Sequence, residues 1–113
     1  MKIEIPKGTT FRAVILLTYE DGTPYTYTSG DVMRFGVKAE DLSGSLLIEK
    51  TLSYDSGEGG FVLELSPSDT SDFSIGTYLY DIGLESGNDY FMAVKCDEFI
   101  VGRAVTQMSS GGE

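Results

Sequence analysis

The sequence predicts an all-β fold, a sandwich of roughly seven to eight mostly antiparallel strands with one short helical turn near Pro67. Apolar residues alternate with period two in almost every hydrophobic stretch, as in strands that bury one face. Gly, Pro, Asn or Asp turns close these stretches at short, regular intervals. No stretch of useful length has the pattern of an amphipathic helix, and the crossover near Pro67 favours two packed sheets over a barrel.

Two strands are predicted in the N-terminal third of the chain. Residues 10–19 alternate from Phe11 to Tyr19 and also carry apolar residues on the second face. The turn Asp21-Gly22-Thr23-Pro24 ends this stretch, because Gly accepts positive φ and Pro lacks a donor. Val32–Ala39 is the clearest strand, with Met33, Phe35 and Val37 on one face.

The middle of the chain predicts two more strands and the helical turn. Residues 45–53 place Leu46, Ile48 and Leu52 inward, and a glycine-rich turn at 55–60 leads to Phe61, Leu63 and Leu65. Ser66 before Pro67 fits the start of a helix, and Asp69 can replace the acid of a capping box.

A hairpin and a final strand are predicted in the C-terminal third. Residues 77–85 place Tyr78, Tyr80, Ile82 and Leu84 on one face, and residues 86–89 form the hairpin loop. Tyr90, Met92 and Val94 form the returning strand, and Phe99, Val101 and Val105 form the last one. Tyr78 follows a glycine at a strand start, where its hydroxyl can reach back to the preceding loop as in a tyrosine corner. We predict one domain over residues 1–107 and a flexible tail over 108–113.

Charge and composition disfavour some classes of binding partner. The chain has 18 Asp and Glu against 8 Lys and Arg, a formal net charge of -10, which disfavours nucleic acid and anionic membranes. The N-terminus lacks the apolar core of a signal peptide, and no apolar run is long enough for a membrane helix. We therefore expect synthesis in a cytosol.

The residues disfavour catalysis and predict no cofactor or metal. His is absent, which removes the commonest general base and a common metal ligand. The single cysteine, Cys96, is interpreted as a buried thiol at a strand end. The local carboxylate pairs (Asp55 with Glu58, Asp69 with Asp72, Asp97 with Glu98) are loosely placed or point to opposite faces. A calcium site at 55–58 is disfavoured for want of an alternating oxygen pattern.

Three tyrosines are the candidate interaction residues. Tyr25 and Tyr27 lie in a polar segment, and Tyr90 follows the hairpin loop. Exposed tyrosines can anchor protein interfaces or stack on sugar rings, although covering the rim of a sandwich is the more frequent role.

The order of several short motifs resembles a known family. It comprises Gly8-Thr9-Thr10-Phe11, Asp21-Gly22-Thr23-Pro24, Met33-Arg34-Phe35-Gly36-Val37-Lys38, Leu65-Ser66-Pro67-Ser68-Asp69-Thr70 and Gly76-Thr77-Tyr78-Leu79-Tyr80-Asp81. This order is similar to that of small immunoglobulin-like domains of phages and prophages of Gram-positive bacteria, such as the N-terminal domain of siphophage baseplate upper proteins.

The resemblance implies an immunoglobulin-like sandwich that acts as a non-catalytic structural or adaptor module of a phage tail or baseplate. It implies phage structural proteins or further copies of the chain as partners, and incorporation into a virion. It implies no catalytic residues. A carbohydrate-binding module that uses the exposed tyrosines is the alternative function.

Overall fold

Most strands in the described part of the chain bury alternate residues, as the period-two pattern predicts. The structure, a computed structural model, describes residues 2–19 and 21–104. The elements within these ranges are β1 (Ile3–Pro6), β2 (Phe11–Ile15), β3 (Val32–Ala39), β4 (Ile48–Asp55), β5 (Gly60–Leu65), α1 (Pro67–Thr70), β6 (Gly76–Ser86) and β7 (Asp89–Gly102).

The strands form one mixed sheet in the order β1-β7-β6-β3-β4-β5-β2, which curves until it is nearly barrel-shaped. β1 runs parallel to β7, with Ile3 opposite Phe99 and Ile5 opposite Val101. The other neighbouring strands pair antiparallel. The prediction of an all-β fold with mostly antiparallel strands and one short helical turn is confirmed.

β4 produces much of the curvature because it changes partner along its length. Residues Ile48 to Leu52 pair with β3, whereas Ser53 to Asp55 pair with β5. A strand that pairs with one neighbour in its first half and with another in its second half bends the sheet towards its inner face. The two ends of the sheet therefore enclose a shared core.

The core is a single cluster of apolar side chains from all seven strands. Phe99 lies near its centre, with ring centroids 6.0 Å from Phe35, 6.4 Å from Phe73 and 6.5 Å from Tyr80. The predicted inward residues of β3, β5 and β6 are confirmed as buried: Met33, Phe35, Val37, Phe61, Leu63, Leu65, Tyr80, Ile82 and Leu84.

Some local predictions were wrong. The first long strand ends at Ile15, because Leu17 to Tyr25 form a separate ribbon. Leu46 is 44% exposed, since it precedes β4 and its side chain lies over Gly36 on the outer face of the sheet. β1 was not predicted at all. Its pairing with β7, almost a hundred residues away, leaves no local signal beyond Ile3 and Ile5.

β6 and β7 form one long hairpin, and β6 also pairs with β3 from Tyr78 to Glu85. Ser86 pairs with Asp89 across a two-residue loop in which Gly87 has a φ of 62°. The hairpin prediction is confirmed, but the two strands predicted after it are one strand with register shifts. Val105 and the predicted tail over 108–113 lie outside the described residues.

The helical turn α1 ties distant segments together. The Asp69 carboxylate accepts a hydrogen bond from the Ser66 amide over 2.7 Å, as the capping-box prediction requires. It also lies 3.0 Å from the Lys50 ammonium of β4. The buried Thr70 hydroxyl accepts a hydrogen bond from the amide of Gly8, between β1 and β2, over 2.9 Å.

Candidate interaction surface

A short ribbon after β2 forms one wall of an apolar cleft. The amide of Tyr19 donates a hydrogen bond to the carbonyl of Thr23 over 2.8 Å. The amide of Tyr25 donates one to the carbonyl of Leu17 over 3.0 Å. At the tip, the Asp21 carboxylate accepts hydrogen bonds from the amide and the hydroxyl of Thr23. The turn predicted at 21–24 therefore closes this ribbon.

The far half of the β6–β7 hairpin forms the opposite wall. Leu84 and Phe91 are directly opposite each other in the register, so their side chains lie on the same face. The cleft between ribbon and hairpin, called here the hairpin cleft, has a volume of about 430 Å³. Its apolar lining includes Leu17, Tyr19, Tyr25, Leu84, Phe91 and Met92.

The cleft and its margin expose large apolar side chains to solvent. Phe91 is 54% exposed, Tyr19 49% and Met92 40%. Leu16, which precedes Leu17 of the cleft, is 66% exposed and its side chain lies beside Gly60. Single exposed apolar residues are ordinary on a protein surface, but several on one surface mark an interaction site.

Tyr25 is held rigidly at the base of the cleft. Its hydroxyl donates a hydrogen bond to the Asp31 carboxylate, which also accepts one from the amide of Thr28 over 3.1 Å. Burial raises the pKa of Tyr25 to about 12, and the adjacent Asp31 charge adds to the shift. The hydrogen bond from Tyr25 in turn lowers the pKa of Asp31. Because the ring is already held in place, covering it with a partner costs little conformational entropy, which suits a residue of an interface.

Tyr27, like Tyr25, lies against the core residue Phe61. Its ring stacks on that of Tyr54, with centroids 4.4 Å apart and planes 7° apart, and its centroid lies 5.9 Å from that of Phe61. Tyr54 thus covers one face of the Tyr27 ring, and 39% of the residue is exposed.

Tyr90 lies on the opposite face of the hairpin. The Tyr90 ring lies over Gly83, because a Cβ added to Gly83 would come within 2.8 Å of Tyr90 Cε1. Gly83 alternates with the buried Ile82 and Leu84, so Tyr90 covers the outer face while 61% of it stays exposed. The structure therefore separates the three predicted tyrosines, and of these Tyr25 lines the cleft.

Sequence reasoning placed Leu16 on the second face of the first strand but missed Phe91, the most exposed apolar residue of the cleft lining. Phe91 interrupts the alternation, because it lies between Tyr90 and Met92. Apolar residues at consecutive strand positions point to both faces, which was a readable signal of a segment with a second contact surface.

Carboxylates surround this end of the molecule. Asp21 lies at the ribbon tip, Asp31 beneath Tyr25, and Asp89 in the hairpin loop. Glu85 follows Leu84 and forms an ion pair with Arg34. These five side chains sum to a local charge of about -3, so the cleft has an acidic margin.

The other candidate residues have structural roles or lie elsewhere. Asp55 accepts hydrogen bonds from the amides of Gly57 and Glu58 in its own turn, and Glu58 lies 3.1 Å from the Arg12 guanidinium. Cys96 is exposed, so the prediction of a buried thiol was wrong. It lies in β7 within the register shift between Val94 and Asp97. Within residues 2–19 and 21–104, three or more possible metal ligands do not cluster.

The two ends of the sheet differ in character. β1 presents Glu4 and Pro6, the kinds of residue that blunt a strand edge. β2 carries Arg12 as its charged residue and a partly exposed Val14, while Phe11 and Ile15 face the core. The edge of β2 leads directly to Leu16 and the hairpin cleft.

Comparison of the chain with protein-family models, with curated proteins and with solved structures yields no match. In the part of the chain that the structure describes, no helix has both the length and the apolar character to cross a membrane.

Proposed function

We propose that this protein is a non-catalytic adaptor module that works by binding another protein through the hairpin cleft. The observation that supports this most is the concentration of exposed apolar side chains there, with Phe91 and Tyr19 each about half exposed. Such a surface gains free energy when a partner covers it, at about 25 cal/mol per Å² of apolar area removed from water.

The proposal extends to an immunoglobulin-like sandwich of a phage or prophage tail or baseplate, incorporated into a virion. The motif order supports this assignment, as does the hydrogen bond from the Tyr78 hydroxyl to the carbonyl of Ser74, which is the contact of a tyrosine corner. The partners are then structural proteins encoded by neighbouring genes.

Co-expression with the products of the adjacent genes tests the proposal. We expect a stable complex on size exclusion with light scattering, and loss of that complex in Phe91→Asp. Leu47→Asp is the matched control, because Leu47 is similarly exposed (51% against 54%) but lies beside β4. A chain that stays monomeric and binds none of these products would contradict the proposal.

The carbohydrate-binding alternative has weaker support from the geometry. A sugar platform needs free aromatic faces close together. Tyr54 covers one face of Tyr27, Gly83 lies under Tyr90, and Tyr25 lies at the base of the cleft. We expect a glycan array to give no signal, and binding abolished by Tyr27→Ala would favour the alternative instead.

A further inference from the structure

We propose that the free edge of β2 and the hairpin cleft form one continuous site for an extended, basic segment of a partner protein. The segment adds a strand to β2 and places an apolar side chain in the cleft. This inference rests on the proposed protein-binding function and names the mode of binding and the chemistry of the partner.

β2 is an open strand edge. It pairs with β5 from Phe11 opposite Leu65 to Ile15 opposite Phe61, and it stands last in the strand order of the described residues. In an antiparallel pair, alternate N–H and C=O groups point away from the partner strand. Those of β2 are therefore available to an added strand, and main-chain hydrogen bonds of this kind supply much of the affinity in strand addition.

The side chains of β2 do not block such an addition. Arg12, its charged residue, is held by Glu58 at 3.1 Å. At the other end of the order, β1 carries Glu4 and Pro6, and a proline cannot donate to an added strand. The geometry thus selects the β2 edge over the β1 edge.

The edge is continuous with the cleft. Ile15 ends β2, Leu16 follows with 66% of its surface exposed, and Leu17 lines the cleft. A strand laid along β2 and extended by a few residues reaches Tyr19 and Phe91. Main-chain pairing and an apolar anchor then act on one segment, as in other strand-addition sites.

Charge decides between a basic partner and a second copy. The margin of the cleft carries Asp21, Asp31 and Asp89, and the whole chain has a net charge of -10. A second copy would bring the same carboxylates to the contact, where like charges repel. A segment with Lys or Arg beside its apolar anchor complements the margin instead.

A peptide selection tests the proposal on the full chain. A display library of random peptides of about twelve residues is selected against the immobilised protein, and one enriched peptide is synthesised. We expect the enriched peptides to alternate apolar and polar residues around a bulky apolar residue, with Lys or Arg beside it. Amide hydrogen exchange of the chain with the synthetic peptide should slow in β2.

Substitutions then locate the site. Leu16→Lys and Phe91→Ser should each weaken the peptide by about tenfold or more, as loss of an anchoring contact does. Leu47→Lys, an equally exposed position elsewhere, should stay within about twofold. Both test residues are exposed, so the variants are expected to fold, and circular dichroism verifies this.

Several results would overturn the inference. They are an absence of enriched peptides, enrichment of acidic ones, protection in β1 instead of β2, and equal binding by all three variants. Slow exchange of the outward β2 amides in the free monomer would show that the chain covers its own edge, and a dimer in light scattering would favour a second copy. If neighbouring gene products lose binding in Phe91→Asp but no basic peptide is enriched and the β2 amides gain no protection, this inference fails while the proposed function stands.

Discussion

The Tyr78 hydroxyl donates a hydrogen bond to the carbonyl oxygen of Ser74 over 2.8 Å, which fixes the chain where it enters the longest hairpin. The Tyr78 ring also packs on Phe73, with centroids 4.8 Å apart. Phe73 in turn contacts Phe99 in the core. One local contact therefore joins the loop before β6 to the centre of the molecule.

Tyr78→Phe should lower the free energy of unfolding by about 1 kcal/mol, because it removes this hydrogen bond and keeps the ring. Urea denaturation followed by circular dichroism measures the change. Tyr27→Phe is the control, since stacking on Tyr54 does not need its hydroxyl, and it should change stability by less than about 0.5 kcal/mol. Equal effects of the two substitutions would contradict a role for the Tyr78 hydroxyl.

Gly60→Ala should destabilise the protein by about 1–3 kcal/mol through overpacking. An added Cβ would lie 2.6 Å from the carbonyl oxygen of Ile15, so β5 and β2 would have to separate. The control is Gly102→Ala, whose Cβ would lie 3.9 Å from the carbonyl of Ile5. Thermal unfolding of both variants checks the prediction, and a Gly60→Ala protein as stable as Gly102→Ala would refute it.

Phe99→Ala should cost about 3–5 kcal/mol, because it leaves a cavity between Phe35, Phe73 and Tyr80. Phe91→Ala removes the same atoms at a position that is 54% exposed. It should leave the free energy of unfolding within about 1 kcal/mol of the parent. Denaturation midpoints that moved equally would place Phe91 in the core and remove it from the proposed surface.

The Tyr25–Asp31 pair should make stability fall at both ends of the pH range. The pKa of Asp31 lies below 3.8 in the folded chain, so its contribution is present above that pH and is lost on further acidification. The pKa of Tyr25 is raised from 10.0 to about 12, so its contribution is full below pH 10 and is lost as the pH rises towards 12.

Denaturation across the pH range tests this pair. Asp31→Asn should flatten the acid decline, and Tyr25→Phe should flatten the alkaline one. Tyr80, whose pKa burial also raises to about 12, remains in both variants and retains its share of the alkaline loss. Unchanged slopes in both variants would show that the hydrogen bond does not couple to folding.

The local pattern of the sequence was sufficient for the elements whose causes are local. Alternation along β3, β5 and β6 predicted which side chains are buried, because the side chains on one face of a strand recur at every second position. The helical turn followed from Ser66, Pro67 and Asp69, and the hydrogen bond from Tyr78 to the preceding loop followed from its place after a glycine. Each of these features depends on residues that lie within a few positions of one another in the sequence.

Only the tertiary structure decided the features that join distant segments. The parallel pairing of β1 with β7, the change of partner along β4 and the outward position of Leu46 depend on neighbours far away in the sequence. The hairpin cleft exists because a ribbon after β2 meets a hairpin some seventy residues later, as the span from Leu17 to Phe91 shows. Exposure of an apolar side chain depends on what covers it, and local periodicity carries no information on that.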